Sequence, residues 1–131
     1  MIKLMELIAG KFDLKETLEL LEVIFKHYRV KPKVRWDNST KRFANYEVEI
    51  NTMYVSKKLN KDPKEFLHTI LHEIKHAIDA KKMGKNRYEK AYQLAGDIAV
   101  NKGKDFHDDN KFEEIAEKWA IKEYSKWKNK F

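Results

Sequence analysis

The chain has 131 residues, 42% of them hydrophobic and 37% charged, with a formal net charge of +7. That length supports one domain with one core, and the absence of cysteine excludes disulfides and thiolate metal sites. Residues 1–10 are apolar but broken by Lys3 and Glu6, too short for a signal core or a membrane span, and no other stretch approaches about 18 apolar residues.

The expectation is a single soluble domain over 1–131, monomeric, cytoplasmic and away from membranes. The positive charge suits nucleic acid or acidic partners. It is spread along the chain, however, and densest only where Lys122, Lys126, Lys128 and Lys130 interleave with Tyr124 and Trp127. Nucleic-acid binding is therefore the lesser alternative.

Asp13 and Glu16 have the spacing of a capping box, and Leu14, Leu18, Leu21, Phe25 and Tyr28 recur at helical intervals. A first helix is expected to end near Arg29, before Pro32. His27 sits in its last turn, where a cation suits the helix dipole. Residues 33–51 read as strands: Val34-Arg35-Trp36, a turn at Asp37-Asn38-Ser39-Thr40, then Tyr46 to Ile50 with period-two alternation. Tyr46, Val48 and Ile50 are expected to face the core, with Glu47 and Glu49 in solvent.

Asp62-Pro63-Lys64-Glu65 combines an N-cap, a proline at the first helical position and a capping-box glutamate. The helix it opens should run to about Lys82, stop at Gly84, and bury Phe66, Leu67, Ile70, Leu71, Ile74 and Ile78. A third helix is expected from Asn86, capped by Glu89, with Ala91, Tyr92, Leu94, Ala95, Ile98 and Ala99 inward and Gly103 closing it. Asn110 with Glu113 opens a fourth through Ile115, Ala116, Trp119, Ala120 and Tyr124. Four or so helices around a small sheet make an α+β fold.

The second of these helices carries His72-Glu73-Ile74-Lys75-His76, which has the form HExxH. Two imidazoles four residues apart on a helix lie one turn above each other, close enough to share one Zn²⁺. The adjacent Glu73 can then act on a zinc-bound water as general base. A catalytic zinc needs three protein ligands and one open position, so the third must come from elsewhere in the chain. Glu113 and Glu117 are one turn apart, on a face that also bears Ala116 and Ala120. Small residues there allow close approach to the histidine helix, so one carboxylate can ligate while the next orients a histidine.

HExxH followed by Glu113-x-x-Ala116-x-x-Trp119-Ala120 resembles the gluzincin zinc metallopeptidases, especially the small minigluzincins and ImmA/IrrE-like peptidases. The resemblance covers about residues 33–121. It implies a zincin-like fold, with a small mixed sheet, an N-terminal helix, an active-site helix and a C-terminal glutamate helix. It further implies peptide-bond hydrolysis on a protein or peptide substrate, with His72, His76 and Glu113 as zinc ligands and Glu73 as catalytic base. Glu117 becomes the acid that supports a zinc histidine; thermolysin-like members have Asp at that position.

By the same resemblance, a C-terminal segment within about 124–131, from Trp127 to Phe131, could fill the cleft and make the enzyme a latent zymogen; a frayed, solvated helix end is the alternative. Tyr88, Tyr92 and His107 are candidates on chemistry alone to stabilise the oxyanion. Asp79, three residues after His76, could ligate but reads mainly as a support for a ligating histidine or as a solvent-facing acid. His107 competes as a ligand, giving a three-histidine site as in SprT-type proteases acting on DNA-bound proteins. His68, a turn before His72, could line the cleft but reads more simply as a helix-surface histidine. The alternative class is a basic nucleic-acid- or partner-binding module with a non-catalytic metal site.

Overall fold

A computed structural model describes residues 14–60 and 62–128. Within them the chain is α+β, with four helices and one three-stranded mixed sheet. In order these are α1 (Leu14–His27), β1 (Lys33–Asp37), β2 (Ala44–Glu47), β3 (Thr52–Ser56), α2 (Pro63–Met83), α3 (Lys85–Asn101) and α4 (Lys111–Trp127). None of these helices is long and apolar enough to cross a membrane.

The sheet order is β1-β3-β2, with β1 parallel and β2 antiparallel to the central β3. β3 was not expected, and it changes the reading of the strand before it. The strand expected over Tyr46 to Ile50 ends at Glu47, and Val48–Asn51 turn the chain into β3. Asn51 makes that turn at φ 47°, a left-handed conformation that asparagine tolerates. Ile50, expected inward, is therefore 53% exposed on the turn. β3 supplies what that strand was expected to supply: Met53 and Val55 are fully buried.

The core lies between the sheet and the helices. Leu21, Ile24 and Phe25 of α1 meet Phe66, Ile70, Leu71 and Ile74 of α2, and Trp36 of β1 stacks on Phe66. The apolar face of α1 is rotated from expectation, with Leu20, Leu21, Ile24 and Phe25 buried while Leu18 is half-buried. Asp13, the expected cap of this helix, lies outside the described residues.

α2 begins and ends where its sequence signals place it. The Asp62 side chain accepts a hydrogen bond from Lys64 N–H, and Gly84 closes the helix at φ 88° while its N–H donates to Ala80 O. That φ lies where an L side chain is strained, so glycine is required there. The same Gly84 is already the N-cap of α3, which leaves Asn86 and Glu89 inside the helix rather than capping it. α3 buries Tyr88, Gly96 and Ala99, whereas Leu94 and Ile98, expected inward, are 60% and 46% exposed.

α4 packs most extensively on α2. Its Ala116 and Ala120 are fully buried, and such small side chains permit close approach of the two helices. Asn110 caps α4 by accepting from Phe112 N–H, and its Nδ2 donates to Tyr92 O, tying the start of α4 to α3. Ile115, beside Ala116 on the same helix, is 37% exposed.

Candidate metal centre

His72 and His76 stand one turn apart on the face of α2 that meets α4, and Glu113 lies in the first turn of α4 opposite them. His72 Nε2 is 2.7 Å from Glu113 Oε1, His76 Nε2 is 3.0 Å from the same oxygen, and the two Nε2 atoms are 3.3 Å apart. A tetrahedral zinc with bonds of about 2.0–2.1 Å requires donor atoms about 3.3 Å apart. The triangle has that size, slightly contracted, and its three corners are of the types that zinc accepts. His76 and Glu113 are 5% and 8% exposed, so the donors are shielded from competition by bulk water. The residues fit one Zn²⁺.

Glu73 lines the same cleft as His76 and Glu113. It is 6% exposed, and its Oε2 has no hydrogen-bond partner among the described residues. A buried carboxylate oxygen without a protein partner costs about 1–3 kcal/mol or more, so a bound water or ion beside it would be stabilising. His72, Glu73 and His76 offer ligand atoms within 4.8 Å of one another, so Glu73 could itself approach an ion. Glu113 Oε1 is the nearer oxygen and completes the smaller triangle.

The surroundings fix the ligands. His76 Nδ1 is 2.6 Å from the Tyr88 hydroxyl, and Tyr88 is 2% exposed. With Nδ1–H donating to that oxygen, the lone pair of Nε2 is left for a metal. The Tyr92 hydroxyl donates to Glu113 Oε2, which holds the carboxylate with its other oxygen toward the histidines. His107 Nε2 reaches the same Oε2 at 3.3 Å from the loop before α4.

Electrostatics follow from these contacts. Burial pushes the Glu113 carboxyl up, but hydrogen bonds from His72 and His76, the charge of His76 and the Tyr92 hydroxyl outweigh it and hold it well below the usual carboxylate range. Burial pushes the Glu73 carboxyl up, with His76 and His72 opposing. Burial lowers His72, yet the Glu113 hydrogen bond and the charges of Glu73, Glu113 and Glu117 carry it above its ordinary value. Burial, and then the Glu113 carboxylate, raise both Tyr88 and Tyr92.

The other expected residues divide. Glu117 Oε1 lies 3.8 Å from His72 Nδ1, an ion-pair distance, and its short contact is to His68. His68 therefore belongs to the edge of the site rather than to plain helix surface. Both residues stand one turn beyond the triangle on the facing helices, a spacing already visible in the sequence. Asp79 is paired with Lys75 at 2.8 Å and makes no contact with the histidines. Tyr88, expected among the oxyanion donors, is instead committed to His76. Sequence spacing gave no signal for that bond, because it depends on how α3 leaves Gly84.

The tail expected in the cleft starts elsewhere. Trp127 is 5% exposed in the core, its Nε1 donates to the Tyr28 hydroxyl at 2.7 Å, and its ring meets His27 edge-on. Residues 129–131 lie outside the described residues.

The site opens into a cleft of about 860 Å³. One wall is residues 42 and 45–49, which include most of β2; the other is α3 from Tyr88 to Asp97, with Phe106 and His107 at one end. β2 is an edge strand, so the wall it forms carries unpaired backbone groups. A larger groove, about 1160 Å³, lies between the end of α1 and the second half of α2. It shares Tyr46 and Val48 with the cleft wall but contains none of His72, Glu73, His76 and Glu113, so size alone does not identify the site.

The chain matches no protein-family model, no curated protein and no solved structure.

Proposed function

We propose that the protein is a zinc-dependent metallopeptidase with a zincin-like fold, acting on protein or peptide substrates. The observation that carries this reading is the triangle of His72 Nε2, His76 Nε2 and Glu113 Oε1, with edges of 2.7–3.3 Å, beside a buried glutamate whose Oε2 has no partner. His72, His76 and Glu113 would hold the ion, which when bound supplies a Lewis acid for the scissile carbonyl and eases deprotonation of water.

Glu73 accepts the proton of the attacking water at Oε2 and returns it to the leaving amine. Tyr88 keeps His76 in its ligating tautomer, and Tyr92 keeps Glu113 in place. Of the three oxyanion candidates, His107 suits that role best: it is exposed at the cleft and approaches Glu113 Oε2 only at 3.3 Å, whereas both tyrosines are held by shorter hydrogen bonds. The extended substrate pairs with the open edge of β2, Ala44–Glu47, in place of the longer strand expected from sequence.

Glu73→Gln should abolish peptide cleavage, by at least about 10²-fold, while zinc stays bound. Loss of zinc from that variant would make Glu73 a ligand and overturn its role as base.

A second reading, a basic binding module, draws on the large groove, whose rim carries Lys26, Arg29, Lys31, Lys81 and Lys85. DNA binding with steep salt dependence and no peptide cleavage would favour it.

A further inference from the structure

The chain as a whole is strongly basic, at +7, yet the cleft over the proposed centre is not. Glu89, Gln93 and Asp97 recur every four residues along α3 and form one polar stripe on its wall of the cleft. Glu47 and Glu49 stand on the opposite wall. Against these four carboxylates the cleft lining offers two permanent cations, Arg42 and Lys90. Lys85 reaches the Glu49 backbone carbonyl at 3.4 Å, which brings a further positive charge near that end of the wall. The carboxylates of Glu47, Glu89 and Asp97 form no ion pair among the described residues; Asp97 accepts only a hydrogen bond from Gln93.

These acids face a built site and not merely solvent, since Glu73, 6% exposed with an unpartnered oxygen, lines the same cleft. The lysines that make the chain basic act from elsewhere on the surface. At physiological salt their field is screened over about 8 Å, so the local carboxylates decide what the cleft attracts.

We propose that this cleft selects peptides carrying a lysine or arginine close to the bond presented to the site, with Glu47, Glu89 and Asp97 as the specificity-determining residues. The inference rests on the reading of this cleft as a substrate site. An extended peptide on the β2 edge projects alternate side chains to opposite sides. A long cationic side chain directed across the cleft meets Glu89 and Asp97, and one directed along β2 meets Glu47.

Binding can be measured apart from catalysis. Two short fluorescent peptides, identical except for lysine or its neutral isostere norleucine at the central position, would be titrated onto the zinc-loaded Glu73→Gln chain. Fluorescence anisotropy would be followed at about 50 and about 300 mM salt. The lysine peptide should bind about fivefold more tightly at low salt, with the difference shrinking at high salt. Combined Glu47→Gln, Glu89→Gln and Asp97→Asn, all at exposed positions, should remove the difference.

Equal affinity for the two peptides, no binding of either, or a difference that survives the triple variant would overturn the inference. Cleavage of the same peptides by the native chain tests the parent reading separately. A lysine preference in binding with no cleavage would sink the peptidase and leave the selectivity standing. Equal cleavage of both would do the reverse.

Discussion

Replacing Tyr88 by Phe removes one oxygen from a buried position and leaves His76 Nδ1 without its 2.6 Å partner. The ring remains to fill its place against Tyr92 and Phe112, so the fold should survive. Losing such a partner weakens a metal site by about 10–100-fold, because the imidazole is free to rotate and to adopt the wrong tautomer. Zinc at 100 times its Kd stabilises the native chain by about 2.7 kcal/mol. If the variant binds about 30-fold more weakly, the same zinc concentration stabilises it by only about 0.9 kcal/mol. For a domain of this size about 1 kcal/mol moves Tm by about 4 °C, so the zinc-induced rise should fall from about 11 °C to about 4 °C. Differential scanning calorimetry with and without zinc reads this directly, and competition against a chromophoric chelator checks the affinity. An unchanged zinc-induced shift in Tyr88→Phe would show that the Tyr88 contact does not orient His76, and the argument for a held tautomer would fail.

Two further changes probe the frame. Ala116→Leu inserts a larger side chain between α2 and α4, where Ala116 is fully buried; urea unfolding should show a loss of about 1–3 kcal/mol, and chelator competition a weaker zinc site, because α4 carries Glu113. Glu123 accepts from Tyr28 and Lys126; burial raises its carboxyl, but these partners hold it below its ordinary value of 4.5. Its contribution is therefore complete above that unfolded value and lost as pH falls through the lower folded one, so stability measured by urea from about pH 6 to about pH 3 should fall more steeply for the native chain than for Glu123→Gln.

The helix of the centre was legible because its signals are local. Asp62-Pro63 and Gly84 punctuate α2, and the spacing of His72 and His76 alone puts both rings on one face. Ala116 and Ala120 marked the face of α4 that can approach closely, and Glu113 lies on that face. What failed was less local. Thr52–Ser56 carries the β-prone Thr, Tyr and Val, but its pairing depends on a left-handed Asn51 that alternation does not reveal. Leu94 and Ile98 drew the inward face of α3 toward themselves, whereas Tyr88 and Gly96 occupy it together with Ala99, the one buried position that was expected. At Gly96 an added Cβ would stand 2.2 Å from the Phe106 ring, so glycine there makes room for the loop that carries His107. The roles of Tyr88 and Tyr92 required the angle between α2 and α3, which no periodicity encodes.

The central claim is that His72, His76 and Glu113 form one zinc site, and metal content tests it most directly. Native protein and Glu113→Ala would be purified side by side, equilibrated with zinc, dialysed and analysed for bound metal. The account predicts about one zinc per native chain, and a loss of most or all of it in the variant. Equal zinc in both would place the third ligand elsewhere, and a native chain that takes up none would contradict the metal centre altogether.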